Sequence, residues 1–97
     1  MNKVVNLRKD KYDVYIGRGS IFGNKFRIGR DGTREDVIRK YERWFFWEVR
    51  KNENFLKEVL ELEGKVLGCF CAPEPCHGDV IVEFLEEYKK SSKREVS

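Results

Sequence analysis

Ninety-seven residues, 40% of them hydrophobic and 13% aromatic, suffice for one small domain with a packed centre and leave no room for a second core. Charged residues make up 38% of the chain, and no apolar run approaches the ~18 residues that cross a bilayer, so a transmembrane protein, a coiled coil and a collagen-like chain are excluded and no membrane partner is expected. The net charge of +3 is unevenly spread: residues 1–30 carry eight Lys/Arg against two acids, and the remainder is net acidic. A basic first third points to an anionic partner, namely a phosphorylated small molecule, a nucleotide or a nucleic acid. The alternative is a solvated basic surface with no partner. The N-terminal residues lack the apolar stretch of a secretory signal, so a cytoplasmic protein is expected.

Val4–Leu7 and Tyr12–Ile16 are β-branched and aromatic runs separated by the short polar Lys9-Asp10-Lys11, a pattern that predicts two strands in a hairpin. Residues Gly17–Gly32 hold five of the eight glycines and form an irregular loop, with a short extended piece at Phe26–Ile28. A helix follows, capped by Asp31 or Thr33, with Asp36 placed for a capping box. Its buried stripe is Val37, Ile38, Tyr41, Phe45 and Val49. The run Trp44-Phe45-Phe46-Trp47 faces too many directions for one stripe, so at least one ring lies outside the core, under a loop or at a dimer contact.

Asn52 or Asn54 starts a second helix with Phe55, Leu56, Val59, Leu60 and Leu62 as its apolar positions, and Gly64 ends it. Lys65–Cys71 is apolar on both faces, as a central strand is, and Ala72–Pro75 breaks it. The last helix runs from Cys76 or Gly78 to Lys90, with Ile81, Phe84, Leu85 and Tyr88 facing inward. Residues 91–97 lack an apolar stripe and are expected to be a flexible tail, leaving residues 1–90 as the single domain. The order β-β-α-α-β-α predicts an α/β fold: a short mixed three-stranded sheet flanked by about three helices, with the second and third strands parallel.

Two segments carry candidate chemistry. The first is the loop Gly17-Arg18-Gly19-Ser20-Ile21-Phe22-Gly23-Asn24-Lys25-Phe26, which leaves a strand end. Glycines let backbone N–H groups turn toward an anion, Arg18 can grip phosphate bidentately, and Ser20 and Asn24 add neutral hydrogen bonds. The spacing matches neither a Walker loop nor a dinucleotide fingerprint, and a loop built only for tight turns is the alternative.

The second segment, Cys69 to Asp79, runs from the end of the third strand into the last helix and holds all three cysteines and the only histidine. In a catalytic reading His77 acts as acid or base, Cys76 as a nucleophile whose thiol pKa the helix N-terminus lowers, and Asp79 as the partner of His77. In a zinc reading Cys69, Cys71, Cys76 and His77 are four ligands, although adjacent Cys76 and His77 make an awkward pair; otherwise no cofactor is expected. In a structural reading the cysteines pack and Asp79 caps the helix. A short loop would also let Cys71 reach Cys76 in a disulfide, leaving Cys69 free. Parallel second and third strands would bring both segments to one sheet edge, which favours a shared site.

The stretch Tyr12–Phe26 resembles the signature of a phage and bacterial family catalogued as domain of unknown function 4326, whose members read V-Y-I-G-R-P-S-x-W-G-N-P-F. The later stretch Gly64-Lys65-Val66-Leu67-Gly68-Cys69-Phe70-Cys71, continued by Cys76-His77-Gly78-Asp79-Val80-Ile81, resembles its second motif. The resemblance spans residues 4 to 87. Gly19 and Lys25 stand where prolines are common, and Phe22 where Trp is usual. The resemblance implies that Gly17, Arg18, Ser20, Gly23, Asn24, Cys71, Cys76, His77 and Asp79 occupy motif positions, that the two loops form one site, and that the setting is a bacterial or virus-infected cell. It names no reaction. Binding of a nucleotide or nucleoside-type metabolite is the leading expectation, with hydrolysis or transfer at a phosphate or glycosidic bond as the class of any reaction. A nucleic-acid- or protein-binding module, using Trp44 or Trp47 as exposed rings, and a zinc-stabilised domain are the alternatives.

Overall fold

A computed structural model describes residues 3–70 and 76–96, the last six as backbone alone. Its elements are β1 (Lys3–Asn6), β2 (Val14–Tyr15), α1 (Arg34–Lys51), α2 (Glu53–Leu60), β3 (Val66–Cys69) and α3 (His77–Val96), in the expected α/β order. β3 is central, as its two-sided apolar character requires, and the strand order is β1-β3-β2. Val4 and Val14 both lie level with Leu67, and Val5 and Tyr15 with Gly68.

The hairpin is not formed. β1 and β2 each pair with β3 in parallel, so the described sheet is parallel rather than mixed. Asn6 starts the departure from a hairpin: its carbonyl accepts from the N–H groups of Lys9 and Asp10, and its side-chain oxygen accepts from Arg8 N–H at 2.9 Å. The chain then crosses to the other edge of β3 over Gly68, where any Cβ would stand 2.6 Å from the Tyr12 ring. Asp13 fastens the far end. Its N–H donates to the Val66 carbonyl, and its carboxylate accepts Val66 N–H, both at 2.8 Å. Both edges of β3 are thereby hydrogen-bonded, which a β1–β2 hairpin would not achieve.

Thr33, not Asp31, caps α1. Its hydroxyl accepts Asp36 N–H, and the Asp36 carboxylate accepts Thr33 N–H, closing the capping box. These bonds, the Thr33 backbone foremost, hold the Asp36 carboxyl below the usual carboxylate range. Asn52 both ends α1 and caps α2, its side chain accepting from Asn54 and Phe55 N–H, so the two helices meet with one residue between them. Gly64 has φ +80° and turns the chain into β3.

The core joins Ile16, Tyr41, Phe45, Val59, Leu67 and Ile81 between the sheet and the helices. Of the four consecutive rings on α1, Phe45 is fully buried and Trp44 is packed against the core beneath Lys25 of the loop, 5.1 Å from its ring centre. Phe46 and Trp47 are the outward ones, 37% and 55% exposed, and Lys51 covers the Trp47 ring at 3.8 Å. Phe26–Ile28 joins no strand. The backbone of α3 stays helical to Val96, beyond the Lys90 boundary that loss of the apolar stripe suggests.

Candidate functional site

β2 delivers the Gly-rich loop and β3 leads toward α3, and because the two strands are parallel neighbours both segments leave the same end of the sheet. Ile16 is the joint. Its N–H donates to the Gly68 carbonyl at 3.0 Å, and its own carbonyl lies 2.6 Å from His77 Nε2 on α3. Gly78 allows this approach, since a Cβ there would stand 2.9 Å from Ile16 Cδ1 and 3.1 Å from both Val4 methyls.

The loop folds on itself through successive turns: Ser20 N–H and hydroxyl both donate to the Gly17 carbonyl, at 3.1 and 2.7 Å, and Gly23 N–H donates to the Ser20 carbonyl. A Cβ at Gly23 would lie 2.6 Å from the Gly17 carbonyl oxygen. Gly19 has φ +93°. Asn24 brackets the loop onto α1, donating to the Val37 carbonyl and accepting Phe26 N–H. Tyr41 adds a tie from the core: its buried hydroxyl donates to the Phe22 carbonyl at 2.7 Å. Ser20 and Asn24 thus use polar atoms to shape the loop, while the exposed Arg18 side chain extends from it.

At the start of α3, Asp79 caps the helix: its carboxylate accepts Cys76 N–H at 3.1 Å. Its structural bond is therefore to the Cys76 backbone rather than to the His77 ring. Cys76 is a free, buried thiol whose Sγ lies 3.4 Å from that of Cys69, so it does not form the disulfide that a short loop to Cys71 would allow. The Cys76 thiol pKa is also raised, not lowered: the hydrogen bond with Cys69 and then burial outweigh the Gly78 N–H that favours the thiolate. Burial pushes the His77 pKa down, against the opposing effects of the Ile16 carbonyl and Asp79, so the ring is neutral at pH 7. Its ring packs edge-on to Tyr41 at 5.1 Å between centres.

Two adjoining cavities lie where the segments meet. One, of about 400 Å³, has apolar walls from Tyr15, Phe26, Ile28, Val37, Ile38 and Phe70, with Arg18, Arg34, Cys69, Cys76 and His77 also lining it. The other, of about 290 Å³, is edged by Arg18, Lys25, Arg27 and Arg30 together with Gly19, Ser20 and Gly23. Arg18 and Asn24 line both. Arg30 pairs with Asp31 at 2.9 Å, whose carboxyl is held low first by Arg27 N–H and then by Arg30. The side chains of Arg18, Lys25 and Arg27 pair with no carboxylate among the described residues.

The expected residues thus divide. Arg18, Gly17, Asn24, Cys76 and His77 line one cavity, Gly19, Ser20 and Gly23 line the second, and Asp79 lines neither of these. Cys71 lies outside the described residues. No group of three or more metal-ligating side chains occurs among the described residues; of the zinc set, Cys69 and Cys76 adjoin, while His77 Nε2 faces the Ile16 carbonyl. Arg27 and Arg34 also line the cavities although they lie outside both motif segments, and Lys25 and Phe26 line them although the first segment contained them without giving them a role; the basic excess of the first third contained the signal for Lys25 and Arg27.

Fold and cavities define a small α/β domain with a parallel sheet and a basic, ring-lined cleft at its strand ends. The chain belongs to the family described as domain of unknown function, DUF4326, whose model matches residues 2–87. It is similar to the uncharacterized 12.4 kDa protein in the nrdA-td intergenic region of Enterobacteria phage T4, at 37% identity over 89 residues, which cover 91% of this chain and 81% of that one. No solved structure matches. Among the described residues no helix is long and apolar enough to cross a membrane.

Proposed function

We propose that the paired cavities bind a phosphate-bearing small molecule of nucleotide or nucleoside type, in the cytoplasm of a bacterial or phage-infected cell. One observation carries the reading: the side chains of Arg18, Lys25 and Arg27 pair with no carboxylate among the described residues, around a cavity that opens beside an apolar, ring-lined one. Uncompensated cations on a Gly-rich turn are the electrostatic complement of phosphate. The adjoining apolar volume suits an organic ring. Arg18, present in both walls, would join the two halves of the ligand. Gly17, Gly19, Ser20, Gly23 and Asn24 hold the loop open in this shape. Where binding leads to chemistry, hydrolysis or transfer at a phosphate or glycosidic bond is the class to assay.

Calorimetric titration with nucleoside mono- and diphosphates tests the reading. Wild type binds and Arg18→Ala, with its fold retained, binds at least roughly tenfold more weakly, the loss expected for one charge-assisted contact. Equal binding by the variant, or no binding by either protein, refutes it. An oligonucleotide that binds better, with an affinity falling steeply in salt, would favour a nucleic-acid interface instead.

A further inference from the structure

The orientation of His77 specifies more about the ligand than its charge does. A carbonyl oxygen only accepts hydrogen bonds, so the 2.6 Å contact with the Ile16 carbonyl places the proton on Nε2. In the neutral ring Nδ1 then carries a lone pair and no proton. Nδ1 has no hydrogen-bond partner among the described residues, nor does any fully buried side-chain nitrogen or oxygen there stand unpaired. The ring around it is held on two sides, by Ile16 and by the edge-on Tyr41, so the tautomer and the orientation are fixed together. His77 is 7% exposed, and it lines the apolar cavity rather than the cationic one.

We propose that His77 is a specificity-determining residue that accepts a hydrogen bond from an N–H group on a heteroaromatic ring seated in the apolar cavity. This rests on the phosphate-bearing reading above and narrows it: the ligand is a nucleotide whose base presents a ring or exocyclic N–H, with the base beside His77 and the phosphate beyond Arg18. The apolar walls give the ring its burial, and His77 Nδ1 supplies an acceptor for one class of edge. A ring lacking the donor would leave that acceptor without its water and without a partner, which is how a polar site rejects a near-isostere.

The chain has a single histidine, so labelling histidine ring nitrogens with 15N yields two resonances that belong to His77 without further assignment. The free protein should show a protonated Nε2 and an unprotonated Nδ1. The four ribonucleoside 5′-monophosphates are then compared with two controls: purine riboside 5′-monophosphate, whose base has no N–H, and ribose 5-phosphate, which has no base. At least one of the four should bind roughly tenfold or more tighter than both controls and move the Nδ1 resonance in the direction of hydrogen bonding, with Nε2 little changed. His77→Phe keeps a ring of similar size and should bring that nucleotide down to the level of the controls; should it not fold, the comparison on the wild-type protein decides. Controls that bind as tightly as every nucleotide, or an Nδ1 resonance unmoved at saturation, overturn this inference and leave the phosphate reading standing. Absence of binding by nucleotides and ribose 5-phosphate alike overturns both.

Discussion

Replacing Tyr41 with Phe removes one oxygen and should loosen the whole Gly-rich loop. Tyr41 is fully buried on α1, and its ring meets Trp44, Phe45 and His77 at centre distances of 5.5, 5.8 and 5.1 Å. Phe keeps all three contacts. What is lost is the 2.7 Å bond from the hydroxyl to the Phe22 carbonyl, across 19 residues of chain. Burial holds that phenol protonated far above its usual range, so the donor is present at every working pH. A buried carbonyl left without its donor costs roughly 1–3 kcal/mol. For a chain of this size each kcal/mol lowers the melting temperature by roughly 4–8 °C. Urea unfolding of Tyr41→Phe should therefore show a lower midpoint at an unchanged m-value, because the surface exposed on unfolding is the same. Nucleotide affinity should fall as well, since Phe22 lies inside the loop that carries Arg18. A stability change below about 0.5 kcal/mol, within the ordinary scatter of neutral substitutions, would refute the reasoning that this bond pins the loop.

Gly23→Ala should disorder the loop and abolish nucleotide binding, measured by calorimetry, because the new methyl would meet the Gly17 carbonyl oxygen at 2.6 Å and backbone has no rotamer through which to yield. The neutral state of His77 makes stability depend on mild acid: with its folded pKa below the unfolded value of about 6.5, the unfolded chain takes up the proton first, so the contribution is intact above that pH and is lost as pH falls toward the folded pKa. The melting temperature should accordingly drop between about pH 7 and about pH 5, above the carboxylate range, and the drop should vanish in a folded His77→Phe protein. Iodoacetamide at neutral pH should leave Cys76 of the folded protein unmodified and alkylate it after unfolding, as mapped by mass spectrometry, because its thiol is buried and hydrogen-bonded to Cys69.

Much of this architecture is legible in the residues. The two-sided apolar run around Leu67 marks the central strand, the Thr33–Asp36 spacing marks the start of α1, and the length between β2 and β3 fixes their parallel pairing. The sheet's other edge is harder to read. A short polar segment between two strands favours a hairpin, and what defeats it here is the absence of a side chain at Gly68, which opens a path for Tyr12 across β3. That is a tertiary fit with no local periodicity. The site divides in the same way. Gly, Arg and His announce a loop and a helix end that meet, whereas the inward bonds of Ser20 and Asn24 depend on which carbonyls the fold sets before them. Cys76 misleads for a related reason: a helix N-terminus lowers a thiol pKa, and only the structure places the Cys69 sulfur beside it to reverse the sign.

The claim on which the function rests is that the basic loop and the α3 N-terminus bind one ligand together. Backbone amide 15N–1H spectra recorded through a nucleotide titration test it most directly. The amides of Gly17–Gly23 and those of His77–Asp79 should shift along a single binding curve with one shared Kd. Shifts confined to one of the two segments, or two segments following different Kd values, would contradict a common site.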